Sequence, residues 1–135
     1  MKKYEKISSE NGFTRRDISD EEITERCILA LINEGADILS EGVAQRAADI
    51  DVVYINGYGF PIWRGGPMHH ANAMGLDVVV EKLKKYHEIT GNDAYKPSEL
   101  LVKLAQNGEH FNLAPSGDER KEKLNFAMSS VAGNF

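Results

Sequence analysis

Between positions 57 and 67 the chain reads Gly57-Tyr58-Gly59-Phe60-Pro61-Ile62-Trp63-Arg64-Gly65-Gly66-Pro67, with four glycines and two prolines in eleven residues. No helix or strand runs through such a segment. Glycine raises the entropic cost of any regular conformation, and proline lacks the donor that helix and sheet ladders use. The chain must therefore be built around a shaped loop, with regular elements on either side of it.

The flanking elements have helical periodicity. Ser19-Asp20-Glu21-Glu22 offers a capping box, and from there to Gly42 two apolar stripes run side by side. Ile23, Cys27, Leu31 and Ile38 make one, and Ile28, Ile32, Gly35 and Leu39 the other. Two stripes on one long helix predict burial on two sides, one by its own domain and one by something else. Gly42 is the expected left-handed terminator. After the loop, Pro67 suits the first position of a short helix ending at Gly75. Leu76, Val79, Val80, Leu83 and Tyr86 form a further stripe, with Glu81 and Lys85 as an i, i+4 pair. Pro97 is expected to start another helix, carrying Leu100, Leu101 and Leu104 and closed by Gly108. A second capping box, Ser116 to Glu119, precedes Leu124, Ala127, Met128 and Val131. Residues 47–56 alone are ambiguous: their β-branched run favours a strand, while Ile50, Val53 and Tyr54 with Asn56-Gly57 favour a short helix. The fold class expected is all-α, one domain of about five or six helices. A polar lead-in without periodicity is expected over 1–18, the helical domain over 19–113, and an extension with a short helix over 114–135.

At 135 residues the chain is too short for a dinucleotide domain plus a substrate domain. Its formal net charge of −5, with interspersed signs, gives no general attraction for nucleic acid. Cys27 is the only cysteine, so no intrachain disulfide forms. The longest apolar run, Cys27 to Ile32, is far short of a membrane span, and no apolar run follows the N-terminus as in a secretory signal. A cytoplasmic location is expected, with an organelle lumen as the alternative.

Tests for chemistry narrow the field further. Gly57-x-Gly59 would need a third glycine at Ile62 to cradle a dinucleotide, and no Lys-Ser/Thr pair follows for a P-loop. The loop is therefore read as a rigid turn, with Phe60 and Trp63 plugged into the core and Arg64 either holding an anion or tying the loop to helix ends. Adjacent His69 and His70 point about 100° apart on a helix and do not converge on one metal ion. Glu34 places a carboxylate on the Cys27–Leu31–Ile38 stripe. Either it is buried and held by hydrogen bonds, most naturally at a neighbouring helix N-terminus, or it titrates near a binding site; the structural reading is the one favoured. Asn33 and Asp37 are read as surface residues on the polar side.

Several blocks then carry a resemblance in fixed order: Glu22-Ile23-x-Glu25-Arg26-Cys27, Ile32-Asn33-Glu34-Gly35-Ala36, Glu41-Gly42-Val43-Ala44, Asp49-Ile50-Asp51-Val52-Val53-Tyr54, Gly57-Tyr58-Gly59-Phe60-Pro61 and Trp63-Arg64-Gly65-Gly66-Pro67-Met68. Over roughly residues 13–113 the chain resembles the C-terminal helical domain of 3-hydroxyacyl-CoA dehydrogenases. It is most similar to the second such domain of the multifunctional enzymes of fatty acid β-oxidation. The resemblance implies that 47–56 is a helix and that the domain pairs with another helical domain, either a second copy or an upstream dehydrogenase portion. It implies that acyl-CoA is met only indirectly. NAD and the catalytic histidine and glutamate belong to an upstream Rossmann domain of the complete enzyme, leaving no catalytic, cofactor-binding or metal residue here. A substrate-contacting copy has an asparagine before the arginine of its first helix. Here Glu25 precedes Arg26, which implies the packing copy. Structural or interface roles are expected of Glu34, Asp51, Gly59, Phe60, Pro61, Arg64, Gly65, Gly66 and Pro67. A free-standing, self-associating scaffold with the same fold is the rival reading, supported by Met1 with its own lead-in and by the unmatched tail at 114–135.

Overall fold

The computed structural model describes residues 2–13 and 15–112. Among these it forms six α-helices and no strand: α1 Lys2–Glu10, α2 Asp20–Ser40, α3 Ala47–Gly57, α4 Pro67–Met74, α5 Leu76–Thr90 and α6 Glu99–Asn107. Short 3-10 turns at Ile62–Arg64 and Asp93–Tyr95 join them. The capping box and extension expected over 114–135 lie outside the described residues. No helix among those described is long and apolar enough to cross a membrane.

The long helix α2 is the element around which the others assemble. Ser19 Oγ accepts from the Glu22 backbone N–H at 3.2 Å and three acids fill the first turn, so the N-terminus is capped and its dipole answered. Gly42, at φ 73°, ends it as expected. The stripe of Ile28, Ile32, Gly35 and Leu39 faces the interior. Ile32 is fully buried, and Leu29 and Ala36 extend the same side. Against it lie Met68 and Ala71 of α4, Val79, Leu83 and Tyr86 of α5, Leu101 of α6, and Tyr95. Burying side chains of this size contributes roughly 1.5–3 kcal/mol each before entropy. Gly35 decides how closely α2 meets α4: a Cβ there would lie 2.5 Å from Met68 Sδ. Segment 47–56 is helical, with Asp49 in its first turn and its β-branched residues in the middle, and no strand lies among the described residues to pair with it.

Four expectations are corrected. The lead-in is not wholly irregular: Lys2–Glu10 is a helix, held by the Lys6–Glu10 ion pair and closed by Asn11 and Gly12. It was obscured because Tyr4 and Ile7, its only two large apolar residues, are both exposed. The sixth helix starts at Glu99 and not at Pro97, because Asn33 Oδ1 accepts from the Ser98 N–H at 2.8 Å and holds that residue extended before the first turn. Glu81 and Lys85 make no ion pair; the cation of α5 that finds a carboxylate is Lys82, on Glu25 of α2. Asn33 is no surface residue. It is 4% exposed, its amide donates to the carbonyls of Ala94 (3.3 Å) and Lys96 (2.8 Å), and it ties the α5–α6 connection to α2.

Candidate functional site

The loop that opened the sequence argument is anchored from α3. Asp51 is 5% exposed; its Oδ1 accepts from the Met68 N–H at 2.7 Å and its Oδ2 from the His69 N–H at 3.1 Å. Pro67, at the first helical position, has no N–H to satisfy, and His70 N–H already bonds Gly66 O. One carboxylate thus takes the two remaining free donors of the α4 N-terminus. Burial pushes the Asp51 carboxyl above its ordinary value, although the two backbone donors oppose this. Gly66, at φ 97°, is there because a Cβ would sit 2.5 Å from Asp51 Cγ. At the other end of the loop, Phe60 N–H bonds Tyr54 O at 3.0 Å, and Gly59 reverses the chain at φ 70°.

This arrangement leaves no place for a dinucleotide. The loop leaves a helix and not a strand, and the backbone donors that would cradle a phosphate are held by an acid.

Three further candidates are corrected. Trp63 is 76% exposed, with the Arg64 guanidinium over its ring at 4.9 Å, and Phe60 is only half-buried; neither plugs the core. Core space beside the loop is filled by Pro67 and Met68 instead. Glu34 is exposed on α2, and the helix-capping role expected of it is performed by Asp51. Pro61 is exposed as well, Gly65 half-buried, Gly66 and Pro67 buried. Arg64 does reach a helix: its Nη1 lies 3.2 Å from His70 Nε2. Burial, and then the Arg64 charge, hold the His70 imidazole below its ordinary range, so a neutral ring accepts this bond. His69 turns to the Arg64 carbonyl at 3.3 Å, so the two imidazoles diverge.

Arg64 and His70 border a groove of about 370 Å³ between α2 and α4, floored by Ile28, Leu29 and Met74. On the α2 side lies Glu25. It is spent within the domain: Lys82 Nζ pairs with it and Tyr86 OH donates to Oε1 at 2.7 Å. Desolvation would raise this carboxyl, but those two bonds and the charges of Lys82 and Lys85 bring it below the ordinary value. Burial, then the bond to Glu25, push the Tyr86 phenol up to about 12.

The second apolar stripe of α2 faces outward. Ile23 is 51% exposed, Cys27 is exposed, and Leu31 and Ile38 are half-buried. From Ile23 to Ile38 this face runs about 22 Å. It ends in a second apolar groove, of about 410 Å³, where Ile38 meets Val43, Val53 and Tyr54. Val52, Tyr58 and Ile62 are exposed as well.

Residues 23–117 match the family model described as the 3-hydroxyacyl-CoA dehydrogenase C-terminal domain. The chain is 47% identical over 105 residues to the peroxisomal bifunctional enzyme of Danio rerio, covering 77% of this chain and 15% of that protein. It is 49% identical over 94 residues to the human protein of the same name, covering 69% and 13%. Against the fatty acid oxidation complex subunit alpha of Shewanella loihica the identity is 36% over 89 residues, covering 66% and 12%. The chain thus spans about one seventh of the length of the two vertebrate relatives.

Proposed function

The chain belongs to the family of 3-hydroxyacyl-CoA dehydrogenase C-terminal domains, and from that premise we propose that it is the packing module of such an enzyme. In this reading it docks on another helical domain through the outward face of α2 and braces the acyl-CoA cleft from behind. The oxidation of 3-hydroxyacyl-CoA with NAD takes place on a Rossmann domain outside these 135 residues. The setting is a soluble compartment, cytoplasmic or an organelle lumen.

The observation that carries the reading is the stripe Ile23–Cys27–Leu31–Ile38. It places an apolar face about 22 Å long on the longest of the described helices, beside an apolar groove. A helical partner covers such a face by ridge-into-groove contact. Glu25 supports the same assignment. At the position where a substrate-contacting copy has asparagine, this domain has a carboxylate already bonded by Lys82 and Tyr86, so it has no free group to offer a substrate.

The test mixes the full chain with a separately produced dehydrogenase portion and follows NADH formation from a 3-hydroxyacyl-CoA. Activity should rise on mixing, and alkylation of Cys27 should slow as its face is covered. Unchanged activity, together with a stable homodimer by light scattering, would replace this reading with that of a self-associating scaffold. Tight NADH binding by the chain alone would overturn the division of roles.

A further inference from the structure

We propose that the groove between the C-terminal end of α2 and the start of α6 binds an organic cation, a guanidinium or ammonium group on a flexible stem, with the Ser98 hydroxyl among its acceptors. The groove has a volume of about 340 Å³, and Asp37, Glu41, Asp93 and Glu99 border it together with a single cation, Lys96. Among the described residues none of these five side chains makes an ion pair, whereas Glu22, Glu25 and Asp49 do.

Ser98 lines the same groove and is only 5% exposed. Its N–H donates to Asn33 Oδ1 at 2.8 Å and its carbonyl accepts from the Val102 N–H at 3.0 Å. Its Oγ is buried with no hydrogen-bond partner among the described residues. A serine just before a helix ordinarily turns its hydroxyl to the N–H groups of the first turn, and Ser98 does not. A buried hydroxyl left in this way costs free energy that an incoming N–H donor recovers.

The C-terminal end of α2 carries a second local cost. Its last turn has no basic residue, and Asp37 and Glu41 stand four residues apart at the negative end of the helix dipole. The dipole and the mutual repulsion both disfavour carboxylates there, and a bound cation offsets both. Glu99 lies in the first turn of α6, where it already answers the dipole and leaves that end with no need of an anion.

The class of cation follows from the spread of the charges. Among the described residues no three acids stand so as to hold a metal ion. Acids set apart around such a groove, with a hydroxyl that accepts one directed bond, match a cation with several N–H donors: an arginine-like guanidinium or the ammonium groups of a linear polyamine. The site belongs to this chain alone and stands whether or not the outward face of α2 docks on a second domain.

The experiment titrates the full chain at low salt with N-acetyl-argininamide and with spermidine, followed by amide signals in NMR and by thermal unfolding. Signals of Asp37, Glu41, Ser98 and Glu99 should shift saturably, and the neutral isostere N-acetyl-citrullinamide should leave them unmoved. Ser98→Ala should weaken binding about tenfold, the loss of one hydrogen bond to a charged donor. Asp37→Asn with Glu41→Gln should weaken it about fivefold. The same pair should raise the melting temperature of the cation-free chain, because the repulsion at the end of α2 is gone. Adding a separately produced dehydrogenase portion distinguishes the sources. Displacement of the argininamide assigns the cation to a basic side chain of a docked domain, and its retention assigns it to a free polyamine. No saturable shift, equal binding of the citrulline compound, or affinities that ignore both variants would overturn the proposal.

Discussion

Replacing Asp51 with alanine removes the sole acceptor of two backbone donors at the start of α4, and the cost follows from their surroundings. The Met68 N–H is buried, and leaving it unpaired costs about 1–3 kcal/mol. The His69 N–H is nearer the surface and regains a water, so its loss adds about 0.5–1 kcal/mol. The expected destabilisation is about 1.5–4 kcal/mol. At an m-value of about 1.5 kcal/mol/M, a 3 kcal/mol loss lowers the urea midpoint by about 2 M. Asp51→Asn keeps one acceptor oxygen and should lose about half as much. Gly66→Ala attacks the same contact from the other side, combining a clash at Asp51 with a φ of 97° that alanine tolerates poorly, and should cost more than about 2 kcal/mol. Urea unfolding followed by circular dichroism reads all three. An Asp51→Ala midpoint that implies less than about 0.5 kcal/mol, or an Asp51→Asn variant as stable as the parent, would refute the claim that this carboxylate fastens the loop.

Further outcomes are expected. Asn33→Ala leaves the Ser98 N–H without its acceptor and should cost about 2–4 kcal/mol, while Glu34→Ala, one residue on, should change thermal stability by less than about 0.5 kcal/mol. Glu25 has a lowered folded-state value, so its stabilisation is present above the ordinary 4.5 and is lost as pH falls through that lower value. The stability gap between the parent and Glu25→Gln should accordingly narrow on acidification. The same variant should bring the Tyr86 phenol down from about 12 toward 10.0 in an ultraviolet titration. In the parent, the contribution of Tyr86 holds below 10.0 and fades as pH rises through about 12. Trp63→Ala should cost less than about 0.5 kcal/mol, and the parent's only tryptophan should show the emission of a solvated indole.

The sequence by itself determined the elements that depend on local rules. Ser19 and Gly42 bound α2, Pro67 and Gly75 bound α4, and the 76–86 stripe is buried, because caps, fixed proline φ and helical periodicity act within a few residues of chain. The two stripes of α2 also foretold one buried and one outward face, and the ordered motifs foretold the family. Only the tertiary structure decided which polar residue does which work. Asn33, Glu34 and Asp51 are all short polar positions on helices in the sequence. Whether one is buried depends on what crosses it: the α5–α6 connection covers Asn33, the α4 N-terminus reaches Asp51, and no element among the described residues covers Glu34. For the same reason Trp63 is outside. Its apolar character predicts a core place, but the loop's path, set by Asp51 on one side and Tyr54 O on the other, gives that place to Pro67 and Met68 and leaves the indole beside Arg64.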